Sequence, residues 1–252
     1  MSEQRTVPFR WPFTGGSALN VPHVTSMTWR DGLFAHWRVD PEALRPHVPG
    51  QLALETRNGH AWVSVLSFVL TNVGLRGSPP IMRLAFPALT VRTYVRYRGD
   101  PGLFFFSIDI DRSLLATAIG RAIRLPVSDA TIQVGATAEN HVVFASDRLQ
   151  TARTRDGPAR FAATYRSDGP VFTAEPDTLA YWLTARRRFY APTGRGVLVG
   201  EIAHDPWPLQ PAAVTIHENT LFEANGLPTP VGDPVVHYAD DLSMTGSIPR
   251  RL

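Results

Sequence analysis

Two polar residues stand where chemistry would be expected. Arg92 sits in the alternating run Val91-Arg92-Thr93-Tyr94-Val95, and His204 ends the run Arg195–His204 just before Asp205-Pro206-Trp207-Pro208. A guanidinium on an inward polar face can grip a carboxylate bidentately, or it can be neutralised by an internal carboxylate such as Asp109. A histidine at the end of a strand, followed by a proline-fixed tryptophan, either presents a titratable group to a cavity or forms a structural corner. Of these roles, anion binding or oxyanion stabilisation is assigned to Arg92, its orientation to Asp109, and general acid/base work to His204. Glu201, three residues before His204, points to the opposite strand face and is the weaker partner.

Composition removes several chemistries. All 25 basic residues are arginine, and there is neither lysine nor cysteine among the 252 residues. No side-chain Schiff base, pyridoxal anchor, P-loop lysine, thiolate nucleophile or disulfide can therefore form. The net charge is only +3, and no basic stripe of the nucleic-acid-binding kind occurs. The dense run Arg186-Arg187-Arg188 reads as a solvated face at the end of a helix. Hydrolase elbows and His-Glu-x-x-His are absent. His204, His217-Glu218 and His237 are too scattered to read as a metal site. Gly194-x-Gly196 precedes a strand and reads as a turn, not a dinucleotide loop. No cofactor and no metal are expected. Without a signal-peptide core or an 18-residue apolar window, a cytoplasmic protein with no membrane or nucleic-acid partner is expected.

The elements that must position these groups are mostly strands. Residues 1–25 read as an irregular arm. Asp40-Pro41-Glu42 is a helix start, with Asp as N-cap and Pro at the first position. Ala61–Val73 is a central strand. Val91–Arg98 and Leu103–Asp111 read as a hairpin around Gly99-Asp100-Pro101-Gly102, in a register that sets Arg92 opposite Asp109. A helical stripe follows from Leu114 to Ile123, ended by Pro126. Further strands are read at Thr131–Thr137, His141–Asp147, Arg160–Arg166 and Arg195–His204, and a second helix at Pro176–Arg187. The result is one α+β domain, predominantly antiparallel β, in which short helices cover a curved sheet or barrel.

Several strings resemble the DUF2071 (YqjF-like) family in order. They are Phe34-Ala35-His36-Trp37, Asp40-Pro41-Glu42-x-Leu44, Gly59-x-Ala61-Trp62-Val63, Val91-Arg92-Thr93-Tyr94-Val95 and Phe104-Phe105-Phe106-Ser107-Ile108-Asp109. Leu125-Pro126, the corner from Glu201 to Pro211, Glu218-Asn219-Thr220 and His237-Tyr238-Ala239 complete the pattern over residues 26–245. The resemblance implies an acetoacetate decarboxylase-like β-cone or barrel with a small-molecule cavity. The chain departs from its relatives at Ala88 and Thr90, where the family usually carries a Glu and an Asn. Where acetoacetate decarboxylases carry the imine-forming Pro-Lys, this chain has Pro126-Val127.

The reading is an enzyme of the lyase, isomerase or cyclase type. It would act on an organic acid or polyketide-like carbonyl compound without a covalent intermediate. Trp62, Tyr94, Trp207 and His36 are expected to line the substrate pocket. The alternative is a non-catalytic ligand-binding protein that keeps the cavity. The oligomeric state is open, a homo-oligomer included.

Overall fold

The computed structural model describes residues 21–111, 125–148, 157–194 and 196–252. The helical stripe read at 114–123 lies outside the described residues, as does most of the N-terminal arm. The strands in chain order are β1 (His23–Val39), β2 (Ala53–Leu54), β3 (Ala61–Leu75), β4 (Leu84–Tyr97), β5 (Asp100–Asp111), β6 (Val127–Ala136) and β7 (Val142–Arg148). They continue as β8 (Ala159–Ser167), β9 (Arg188–Thr193), β10 (Gly196–His204), β11 (Gln210–Asn219), β12 (Val231–Ala239), β13 (Leu242–Ser247) and β14 (Arg250–Arg251). Short helices are α1 (Pro41–Leu44), α2 (Leu179–Thr184) and α3 (Leu221–Ala224).

Pairings close the sheet on itself twice. The path β1–β3–β4–β5–β9–β10–β13 returns to β1, a ring of seven strands. A second path runs from β5 through β6, β7, β8, β11 and β12 back to β1. The two rings share β1, β3, β4 and β5 as a common wall. Closure removes the unpaired edges that a long open sheet would expose. Each shared strand is buried on both faces, which is why Ala61–Phe68 is buried without interruption.

Alternation divides the wall between two interiors. Ala35, Val63, Val65, Leu89 and Val91 pack with Phe144, Phe161 and Tyr165 in the second ring. Phe34, Leu66, Ala88, Ile108 and Ile110 pack with Trp29, Trp207 and Met244 in the first. Asp40 caps α1 by accepting from the Glu42 amide at 3.0 Å, with Pro41 in the first turn, as the sequence predicts. The second helix is shorter than Pro176–Arg187, because Thr178 caps it and α2 ends at Thr184.

The β4–β5 hairpin differs from its expected register. The turn is a tight one at Arg98 and Gly99, whose φ values are +52° and +91°, so Tyr97 already pairs with Asp100. Two consecutive positive φ angles match the twist of the flanking strands, and Gly99 adopts its angle without a Cβ penalty. A bulge then lets Arg92 pair with Phe105 and Val91 with Ser107. Asp109 consequently faces Leu89, not Arg92. The expected Arg92–Asp109 pairing is wrong because the shorter turn moves the register and the bulge inverts the parity of β5, and neither is visible in the alternation.

Candidate active site

The first ring carries a row of polar side chains on its shared wall. Cross-strand pairing aligns His36 of β1 with Ser64 of β3, and Ser64 with Arg92 of β4. Directly opposed residues share a face, so these three point into the ring, joined by Tyr94 two residues beyond Arg92. His237 of β12 pairs with Phe34 and lies beside His36, their rings 6.1 Å apart. His204 enters from the end of β10, and its ring lies 4.8 Å from that of Trp207.

Three of these groups form a chain of short contacts. His36 Nδ1 is 2.7 Å from Ser64 Oγ, and Ser64 Oγ is 2.6 Å from Tyr94 Oη. The Tyr94 hydroxyl donates to the Leu183 carbonyl at 2.9 Å, and the Trp207 indole donates to the Thr184 carbonyl at 3.1 Å. The last carbonyls of α2 lack helical partners, and two aromatic residues of the site supply them.

Arg92 lies deep in the ring yet keeps partial accessibility. Burial lowers its pKa, and the Tyr94 phenol beside it opposes that. No described carboxylate forms an ion pair with it, and its Nε has no hydrogen-bond partner among the described residues. Burial and the charges of His237 and Arg92 hold the pKa of His36 well below its usual value. Burial, with Arg187 and Arg92 nearby, pushes His204 down to about 3. Burial lowers His237 as well. Lowered from an ordinary value near 6.5, the three histidines are neutral at pH 7. His204 Nδ1 lies 2.6 Å from the Asp205 carbonyl, which can only accept. The proton is thus on Nδ1, and Nε2 holds the lone pair.

Aromatic side chains close the site. Trp62 packs with Tyr94, Leu103, Leu183 and Phe189, and its indole donates to the Arg57 carbonyl at 3.2 Å. Trp207 meets both Phe34 and Trp29 edge-on at 4.9 Å. Val127, at the imine-lysine position of the decarboxylase pattern, packs against this same apolar cluster.

Six of the seven expected site residues are thus gathered in or beside the first ring, and Asp109 is not. Asp109 accepts from Arg148 Nε at 2.7 Å in the second ring, where Arg148 Nη2 also donates to Ser107 at 2.6 Å. The arginine run is a second correction. Arg186 pairs with Glu55 at 2.5 Å and lies 5.5 Å from the centre of the Tyr94 ring. Arg187 donates to the His204 carbonyl, and Arg188 pairs with Glu201 at 2.8 Å. The run therefore braces the site from behind, because α2 stops before it and β9 begins with it. Ser64 escaped the sequence reading, and His237 was named there only among scattered histidines and in a family string. The signal for Ser64 was its position two residues after Trp62 in a mostly apolar run.

Two hollows among the described residues lie elsewhere. One of about 680 Å³ is bordered by Arg45, Leu52, Arg96 and Arg98, and one of about 300 Å³ by Met27, Asn72, Arg83 and Met244. Neither includes any expected site residue. No group of three or more His, Asp or Glu side chains is arranged to hold a metal among the described residues; His217 instead contacts Thr164 at 2.9 Å. No helix among them is long and apolar enough to cross a membrane.

A doubly closed sheet with this wall places the chain among acetoacetate decarboxylase-like folds. The enduracididine biosynthesis enzyme MppR, with HEPES buffer bound, aligns over 95% of this chain and 91% of its own, with a TM-score of 0.63 and 16% identity. Acetoacetate decarboxylase from Legionella pneumophila aligns over 98% and 92%, with a TM-score of 0.57 and 14% identity. Residues 26–243 match DUF2071, described as an uncharacterized conserved protein, and the chain belongs to that family. The protein YqjF of Bacillus subtilis (strain 168) is 42% identical over 219 residues, covering 86% of this chain and 87% of its own.

Proposed function

We propose that this protein is an enzyme acting on a small organic acid or carbonyl compound by non-covalent acid/base and electrostatic catalysis. The observation that carries this reading is Arg92, a buried guanidinium with no described carboxylate partner. Burying a cation without a counter-charge is unfavourable, and an anionic ligand removes the penalty. A solved structure of MppR complexed with pyruvate shares the fold and supports a small carboxylate as the ligand class.

In the proposed reaction the ligand's carboxylate or developing oxyanion faces Arg92. His204 Nε2 takes a proton from the carbon next to a carbonyl. The C–H electron pair moves through the new C=C bond onto the carbonyl oxygen, giving an enolate whose charge Arg92 balances. An anion on Arg92 also cancels one of the charges that hold the His204 pKa down. Decarboxylation through a lysine imine has no residue to carry it. The site's aromatic rings would exclude water from the charged pair.

A second reading is a ligand-binding protein without turnover. The low basicity of His204, at about 3 in the empty site, favours it. Incubation with a panel of 2-oxo and 3-oxo acids in D2O separates the two. Exchange of the α-proton by wild type, lost in both Arg92→Met and His204→Gln, supports the enzyme. Tight binding with no exchange and no product supports the binder.

A further inference from the structure

Three contacts in the first ring share three hydrogens, and only one arrangement serves them all. The Leu183 carbonyl carries no proton, so Tyr94 Oη donates across the 2.9 Å contact. Its hydroxyl has no second proton, so Ser64 Oγ donates to Tyr94 across 2.6 Å. Ser64 has then used its hydrogen, and His36 Nδ1–H donates to Ser64 across 2.7 Å. A neutral imidazole carries one ring proton. His36 Nε2 is therefore a bare lone pair, and it is buried with no partner. His237 Nδ1, on the neighbouring ring 6.1 Å away, is buried without a partner too.

We propose that His36 Nε2 is the acceptor for a ligand hydroxyl, so that the site takes hydroxy acids, or keto acids as their enols, in preference to the keto form. This rests on reading Arg92 as the carboxylate site and names the substrate class of that same site. A hydroxyl both donates and accepts. Its proton satisfies the lone pair of His36 Nε2. A keto oxygen only accepts and would face the His36 lone pair, a contact without a hydrogen. Tyr94 is the positioning residue: it fixes the His36 tautomer, through Ser64 or directly, and need not touch the ligand.

The test is calorimetric titration with lactate, as each enantiomer, and with pyruvate, alongside ¹⁵N NMR of the His36 ring. Wild type is expected to bind the better lactate enantiomer about 10-fold more tightly than pyruvate, the discrimination of one hydrogen bond, and to show His36 protonated at Nδ1. In Tyr94→Phe, Ser64 loses its acceptor and donates to His36 Nδ1. The ring proton moves to Nε2, and the preference reverses towards pyruvate. In Ser64→Ala, Nδ1 keeps the Tyr94 hydroxyl within 3.2 Å, so tautomer and preference both stay as in wild type. Equal binding of the two acids by wild type, or a proton found on Nε2, overturns the inference and leaves the Arg92 reading standing. If neither acid binds, or if Arg92→Met binds them unchanged, the Arg92 reading falls and this selectivity with it.

Discussion

Arg92 and Arg148 are both deep arginines on opposite sides of one wall, and they are treated differently. Arg148 is fully enclosed, with Asp109 and Ser107 on its nitrogens at 2.7 and 2.6 Å. Arg92 keeps partial access, has no ion pair and leaves Nε without a partner among the described residues. The second ring therefore buries its cation with a counter-charge, as a structural group must be. The first ring holds a cation with no ion pair among the described residues. The same division appears among the neighbours. Glu55 shares its carboxylate between Arg96 and Arg186 behind Tyr94, whereas the three histidines in front of it have lowered pKa values and are neutral at pH 7.

The contrast is most easily broken at Asp109. Asp109→Ala leaves Arg148 as an uncompensated buried charge and should destabilise the fold by about 3–5 kcal/mol in a denaturant titration. A loss under 1 kcal/mol would show that the pair is not structural. Arg92→Met keeps length and apolar stem, so its folding free energy should stay within about 1 kcal/mol of wild type or rise. Carboxylate affinity should meanwhile fall about 10–100-fold, the worth of a charge-assisted hydrogen bond. An equal loss of stability at both arginines would erase the distinction.

The pH dependence of stability sharpens the comparison further. His204 is neutral in the fold down to about 3, whereas the unfolded chain takes up its proton near 6.5. The unfolded state thus binds more protons, and stability falls as pH drops from 6.5 towards 3, by at most about 1.4 kcal/mol per pH unit for this histidine. His36 and His237, also lowered, act in the same direction. His204→Gln should flatten this slope by one proton in acid titrations, and an unchanged slope would mean that the ring is already protonated in the fold. A carboxylate bound to Arg92 should flatten the slope too, by less than any of these substitutions.

Much of the fold was legible because burial leaves regular traces. Strand alternation put Arg92 and Tyr94 on one face, and the structure turns that face toward the first ring. Asp40-Pro41-Glu42 marked α1 because capping chemistry is local. The aromatic strings around Phe34, Trp62 and Trp207 marked buried apolar clusters of the first ring. What failed was register. The bulge between Val91 and Arg92 inverts the parity of β5, and a two-residue turn replaces the four-residue one. Alternation reports which residues share a face of one strand but not which face of the next strand they meet. Arg186-Arg187-Arg188 was misread for a related reason: a charge run looks solvated until Glu55 and Glu201, far away in sequence, arrive as partners.

The sequence by itself determined the available chemistry: guanidinium and imidazole but no primary-amine or thiol side chain, in a chain of alternating strands. Those are properties of single residues and of neighbours a few positions apart. Only the tertiary structure decided which arginine is neutralised and which histidine nitrogen is bare. Both depend on hydrogens and charges contributed by strands and a helix dozens of residues away, brought together when β1, β3, β4 and β5 become the wall between two closed rings.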